Sequence, residues 1–212
     1  MNSSKECSEH GSRKMRGFRI SSIVMSLLLI SGIAYAQGKI QVQSRSFRSG
    51  SEPNGFRDIK WGTNVSSTKG MEFLRRDWGF NLPVPEGMKA DAVYRRKSDL
   101  LVIGKAKLRK IEYFFWGGQF YRVSIDFIGD ENWINLRHEL FELFGEMPIG
   151  DFTYGWMGQI TGIVLSYEKA KRTGWVMMVS QQLNEQRQLY LKEWGKEKRL
   201  REKVLDDGAR QR

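Results

Sequence analysis

The sequence predicts an α+β domain, with an antiparallel curved sheet built from hairpins, packed by two helices and followed by a C-terminal helix. Three observations carry this. Residues 91–128 and 154–180 alternate apolar and polar side chains across glycine-bearing turns, the period of half-buried strands. Trp133, Leu136, Leu140 and Phe144 recur at helical spacing. Hydrophobic residues make up 40% of the chain against only 4 prolines, which suits a packed core and excludes a disordered polymer.

The chain opens on an address. Arg16 and Arg19 precede an uncharged, mostly apolar stretch from Ile20 to Ile33, and Ala34-Tyr35-Ala36 follows as an A-x-A site. This is the pattern of a secretory signal peptide, with cleavage between Ala36 and Gln37. The stretch is shorter than the ~20 residues of a spanning helix, so no stable transmembrane span is expected after cleavage. Residues 1–14 are polar, and Met15 would begin a signal of ordinary length, which makes it the alternative start. Residues 1–36 are therefore read as the signal, 37–54 as a flexible linker rich in Ser, Arg and Gln, 55–180 as the domain, and 181–212 as a charged helix and tail.

Within the domain, residues 56–61 read as a strand with an irregular start. Asn64 or Ser66 is expected to cap a helix running to Asp77, with Met71, Leu74 and Trp78 on one face. Pro83 and Pro85 mark the following loop. Short strands are expected at 93–96 and 100–103, around a Ser98-Asp99 turn. Longer strands at 107–116 and 120–128 flank Gly117-Gly118, a hairpin signal. Alternation favours a three-residue loop, Gly117 to Gln119. It would pair Phe115 with Tyr121 and Tyr113 with Val123, and keep Ile111, Tyr113, Phe115, Tyr121, Val123, Ile125 and Phe127 on one face.

Residues 130–144 form the clearest helix, capped by Asp130 or Asn132 and ended by Gly145. Strands follow over 154–167 and 175–180, around a basic turn at 169–173. Residues 181–204 lack proline and favour helix, with Leu183, Tyr190 and Trp194 as a narrow stripe, docked at its start and solvated at its end.

Cleavage after Ala36 changes the available chemistry. It removes five bases and two acids from 35 and 24, leaving a net charge of +8 over 176 residues, no cysteine and one histidine, His138. Thiol catalysis and thiolate metal binding are then absent, and a lone imidazole makes no zinc site. No metal and no cofactor are expected. There is no G-x-S-x-G elbow for a Ser-His-Asp triad, and no phosphate-binding glycine loop. Glu112 and Asp126 are the one candidate carboxylate pair for hydrolysis. Their alternation with core residues reads instead as cross-strand pairing beside Lys110 and Arg122.

Two groups remain as candidate binding residues. Lys105, Lys107 and Arg109 recur at every second position and would form one basic stripe on an extended segment. Such a stripe suits an anionic envelope surface or an acidic protein. Export disfavours nucleic acid. Phe114, Trp116 and Phe120 are expected on the face opposite Tyr113 and Phe115, where they would either take an apolar ligand or be covered by the C-terminal helix.

The run Gly55-Phe56-Arg57-Asp58-Ile59-Lys60-Trp61-Gly62-Thr63 resembles the opening of uncharacterised small exported proteins of Gram-negative bacteria. The later spacing does too, from Tyr94-Arg95-Arg96 through Ile111-Glu112-Tyr113 to Phe144-Gly145. The resemblance spans about residues 55–180 and implies a periplasmic α+β domain; it carries no activity over. The expectation is an exported, periplasmic or secreted, non-catalytic binding or interaction domain. The alternatives are a small apolar-ligand binder and a carboxylate hydrolase.

Overall fold

A computed structural model of the chain describes residues 43–77, 84–148 and 152–210. The expected signal segment, the Ala36–Gln37 cleavage site and Trp78 lie outside the described residues.

The fold is α+β. Eight strands form one mostly antiparallel curved sheet. They are β1 (Gln43–Arg45), β4 (Met71–Asp77), β5 (Asp91–Arg96), β8 (Lys110–Trp116), β9 (Gln119–Ile128), β10 (Thr153–Met157), β11 (Thr161–Glu168) and β12 (Thr173–Ser180). Two small hairpins stand beside it: β2 (Gly55–Phe56) with β3 (Ile59–Lys60), and β6 (Val102–Ile103) with β7 (Ala106–Lys107). The helices are α1 (Asp130–Phe144) and α2 (Gln181–Arg210). Spatial order in the sheet is β1-β10-β11-β12-β9-β8-β5-β4, and only β1 runs parallel to its neighbour.

Sequence-adjacent strands pair as antiparallel hairpins because short turns connect only antiparallel neighbours. The main core lies on one face of the sheet. There α1 buries Trp133, Leu136, Leu140 and Phe144, the stripe its spacing predicts. Trp133 stacks on Tyr167 with ring centroids 5.1 Å apart. Neither Asp130 nor Asn132 caps α1, since Gly129 holds the cap position without a side-chain bond. Asn132 is used elsewhere, donating to Ile128 O and accepting from the Lys107 amide at 2.8 Å each.

The expected helix from Asn64 to Asp77 is corrected. Asn64 Oδ1 accepts the Ser66 amide at 3.0 Å and caps only a single 3-10 turn at Val65–Ser67. Gly70, at φ 77°, then turns the chain, and residues 71–77 become edge strand β4 on β5. The open edge of β5 supplies a row of backbone partners, and that pairing overrides a weak helical pattern.

The linker boundary also moves. Part of the stretch read as a flexible linker is docked on the domain. β1 pairs with β10, and Phe47 meets Phe144 edge-on at 5.6 Å. Glu52 Oε1 accepts the Ile160 and Thr161 amides at 2.6 and 2.8 Å. Backbone hydrogen-bond groups of the β10–β11 sheet edge and turn require partners, and this segment supplies them.

The central hairpin shows how the sheet switches faces. Gly117 and Gly118, at φ 60° and 82°, make a two-residue loop, with Trp116 opposite Gln119. The expected three-residue loop is therefore wrong, although Tyr113 does pair with Val123. Phe115 pairs with Phe120 and Phe114 with Arg122, so Tyr121 is the extra residue of a bulge. The bulge absorbs the one-residue offset that the longer loop was invoked to remove.

Candidate functional site

The bulge determines where the predicted aromatics go. Phe120 joins Tyr113 and Phe115 in the main core, with centroids 5.7 and 5.5 Å away. Tyr121 turns to the opposite face. Phe114, Trp116 and Phe120 therefore do not share a face, because a one-residue shift sends a side chain through the sheet. They are 4%, 8% and 0% exposed. Trp116 meets Tyr190 of α2 at 5.8 Å, and the Lys89 ammonium sits 3.9 Å from its ring centre. Arg122 stacks its guanidinium 3.8 Å from the Phe114 ring centre. Protein covers all three rings, which leaves no open aromatic face at this place for an apolar ligand.

On that same face lies a buried polar cluster absent from the sequence reading. Asp91, on β5, accepts from Arg187 Nε and from the Tyr121 hydroxyl at 2.8 Å each. Arg122 Nη2 stands 3.8 Å from the same carboxylate. Burial, together with the neighbouring Asp91 carboxylate, pushes the Tyr121 phenol above its ordinary value, although both arginines oppose this. The Leu183–Arg187–Tyr190–Trp194 spacing held a signal for Arg187, an arginine on the apolar stripe of a helix. Nothing in the sequence paired it with Asp91, 96 positions away. The cluster ties α2 to the sheet.

Glu112 and Asp126 are bridged by Lys110, whose Nζ lies 3.2 and 3.4 Å from them. Arg75 grips both Glu112 oxygens at 2.8 and 3.1 Å. Burial pushes Glu112 upward, but the Arg75 hydrogen bonds and the Lys110 charge outweigh it, so the carboxyl lies below the usual range. That is the reverse of what a general acid needs. Arg122, expected beside this pair, points to Asp91 instead. His138 is exposed on α1, and no cluster of three or more metal-ligating side chains occurs among the described residues.

The basic residues lie on and beside the β6–β7 hairpin. Lys105, Lys107 and Arg109 are exposed and alternate with buried Ala106 and Leu108. Gly104, at φ 53°, makes the turn in a left-handed conformation that favours glycine, with the Glu139 side chain packed against it. Val102 sits opposite Lys107, and the Leu108 amide donates to Leu101 O at 2.9 Å. Leu100 and Leu101 precede this pairing in the same segment. Leu100 is 73% exposed and Val102 45% exposed. Lys105, Lys107 and Arg109 have no carboxylate partner within salt-bridge distance among the described residues, in contrast to Lys110 and Arg75. The hairpin is thus a small amphipathic surface, with three free cations beside exposed aliphatic side chains.

Among the described residues no helix is long and apolar enough to cross a membrane. Comparison of the chain with protein-family models, with curated proteins and with solved structures finds no match.

Proposed function

We propose that the chain is an exported, non-catalytic binding domain that docks on an anionic lipid surface of the cell envelope through the β6–β7 hairpin. The observation that carries this reading is that Lys105, Lys107 and Arg109, free of carboxylate partners among the described residues, occur in one short segment with exposed Val102 paired to Lys107 and with exposed Leu100 and Leu101 just before it. Cations near an anionic membrane contribute about 1 kcal/mol each, and aliphatic side chains add burial at the headgroup boundary. The signal-like N-terminus and the resemblance to exported proteins support the compartment. The neutralised Glu112–Asp126 pair supports the non-catalytic part.

Co-sedimentation of the protein, purified as it is processed in the cell, tests the reading. Vesicles of phosphatidylglycerol and phosphatidylethanolamine should retain it, phosphatidylcholine vesicles should not, and added salt should release it. Joint reversal, Lys105→Glu with Lys107→Glu and Arg109→Glu, should abolish retention. Equal retention on neutral vesicles, or an unaffected triple variant, overturns the proposal. Sequencing of the purified N-terminus should start at Gln37, and an intact Ala34–Ala36 overturns the cleavage.

A further inference from the structure

A cavity of about 540 Å³ lies between α1 and the β2–β3 hairpin, within the ~300–1,000 Å³ typical of small-molecule sites. Its interior is apolar: Phe56, Ile125, Leu140, Phe144, Val176 and Met178 line it, with no charged side chain among its buried residues. Its exposed lining residues are Asn54, Arg57, Asp58 and Lys60 on the hairpin side with Leu143 of α1, and they define the mouth.

The hairpin is fastened in place as a wall. Arg57 Nη1 donates to Asp99 Oδ1 at 2.7 Å, and Asp99 also accepts from the Tyr113 hydroxyl at 2.6 Å. Asp58 is gripped by both terminal nitrogens of Arg96. Arg57 itself sits at φ 55°, the left-handed conformation that the two-residue turn between Phe56 and Ile59 calls for. Two mouth charges are therefore committed to other residues. Lys60 is the exception, with no carboxylate within salt-bridge distance among the described residues.

We infer that this cavity binds a single-chain anionic amphiphile, with its aliphatic chain against the apolar interior and its anionic head on Lys60. A polar ligand would lose its hydration in the interior without gaining hydrogen bonds. A hydrocarbon would leave the one uncommitted charge at the mouth unused. The site adjoins the β6–β7 hairpin through Ile103, but Lys105, Lys107 and Arg109 are not among its lining residues.

Calorimetric titration of the delipidated protein with hexadecanoate and with hexadecyl phosphate tests the inference, with hexadecan-1-ol as the uncharged control. One-to-one saturable binding of at least one anion is expected, and the tighter of the two identifies carboxylate or phosphate as the head. Lys60→Glu should weaken that anion at least tenfold and leave hexadecan-1-ol unchanged. Leu143→Trp, at an exposed position of the mouth, should weaken every chain. Circular dichroism matching the parent protein shows that each variant is folded. Absence of saturable binding by either anion, or an affinity unchanged in both variants, overturns the inference. The Lys105, Lys107 and Arg109 reversal should leave hexadecanoate binding intact, so failure of the vesicle reading and failure of this one are distinguishable.

Discussion

Arg187 on α2 donates from Nε to Oδ1 of Asp91 on β5 at 2.8 Å, and both side chains are withdrawn from solvent. The pair joins the C-terminal helix to a strand far from it in sequence. Removing one partner of a buried ion pair strands the other charge, which costs ~3–5 kcal/mol. Arg187→Met should therefore destabilise the domain by about that amount in urea unfolding. Asp91→Leu should cost at least as much, because it leaves Arg187, Arg122 and the Tyr121 hydroxyl without their shared carboxylate. A loss below ~1 kcal/mol for Arg187→Met would show that α2 is held by its apolar contacts alone.

Stability should fall in acid through Glu112. Its carboxyl lies below its ordinary value in the folded protein, so the unfolded chain takes the proton first as pH drops. The contribution is present above the unfolded value of ~4.3 and is lost as pH falls through the folded value. Glu112→Gln should be less stable than the parent at neutral pH, and the gap should close below pH ~4. Paired denaturant melts across that range check the sign. A gap that widens in acid would contradict it.

Gly174 on β12 has no room for a methyl group. A Cβ would lie 2.1 Å from Cζ of Phe127, whose ring stacks on Tyr167. Gly174→Ala should cost ~1–3 kcal/mol by overpacking. Phe127→Leu in the same chain should relieve part of that clash, which a double-mutant cycle would read as favourable coupling.

The segment before Gly55 should contribute to stability. Glu52→Ala leaves the Ile160 and Thr161 amides without their carboxylate acceptor, a loss of ~1–3 kcal/mol if water cannot replace it. Deleting residues 37–54 should lower the melting temperature further, because Phe47 and the β1 pairing go too. A truncated protein that melts like the parent would restore the linker reading.

The elements read well from sequence wherever one period dominates. Trp133, Leu136, Leu140 and Phe144 predicted the buried face of α1, and glycine turns predicted the hairpins. The exposure of Lys105, Lys107 and Arg109 follows their alternation with Ala106 and Leu108, whereas the absence of carboxylate partners among the described residues is visible only in the fold. The Met71, Leu74 and Trp78 spacing misled, since an edge strand with mostly exposed side chains keeps little period of its own. The cavity was not legible, because its lining comes from the β2–β3 hairpin and the residues before it, from β6, from a helix and from two sheet strands that no local pattern relates.

The sequence by itself determined the α+β class, the α1 helix, most of the strands and the basic alternation, because these depend on neighbours a few residues apart. Tertiary structure alone decided that 71–77 is a strand, that residues before 55 are docked, and which aromatics meet α2. It also brought Arg187 to Asp91. Each of these outcomes depends on groups distant along the chain: the open edge of β5, the unfilled amides at 160 and 161, and the bulge at Tyr121. The bulge had the widest effect. One extra residue on β9 moved Phe120 into the main core and turned Tyr121 toward Asp91, because side chains alternate faces at every step along a strand.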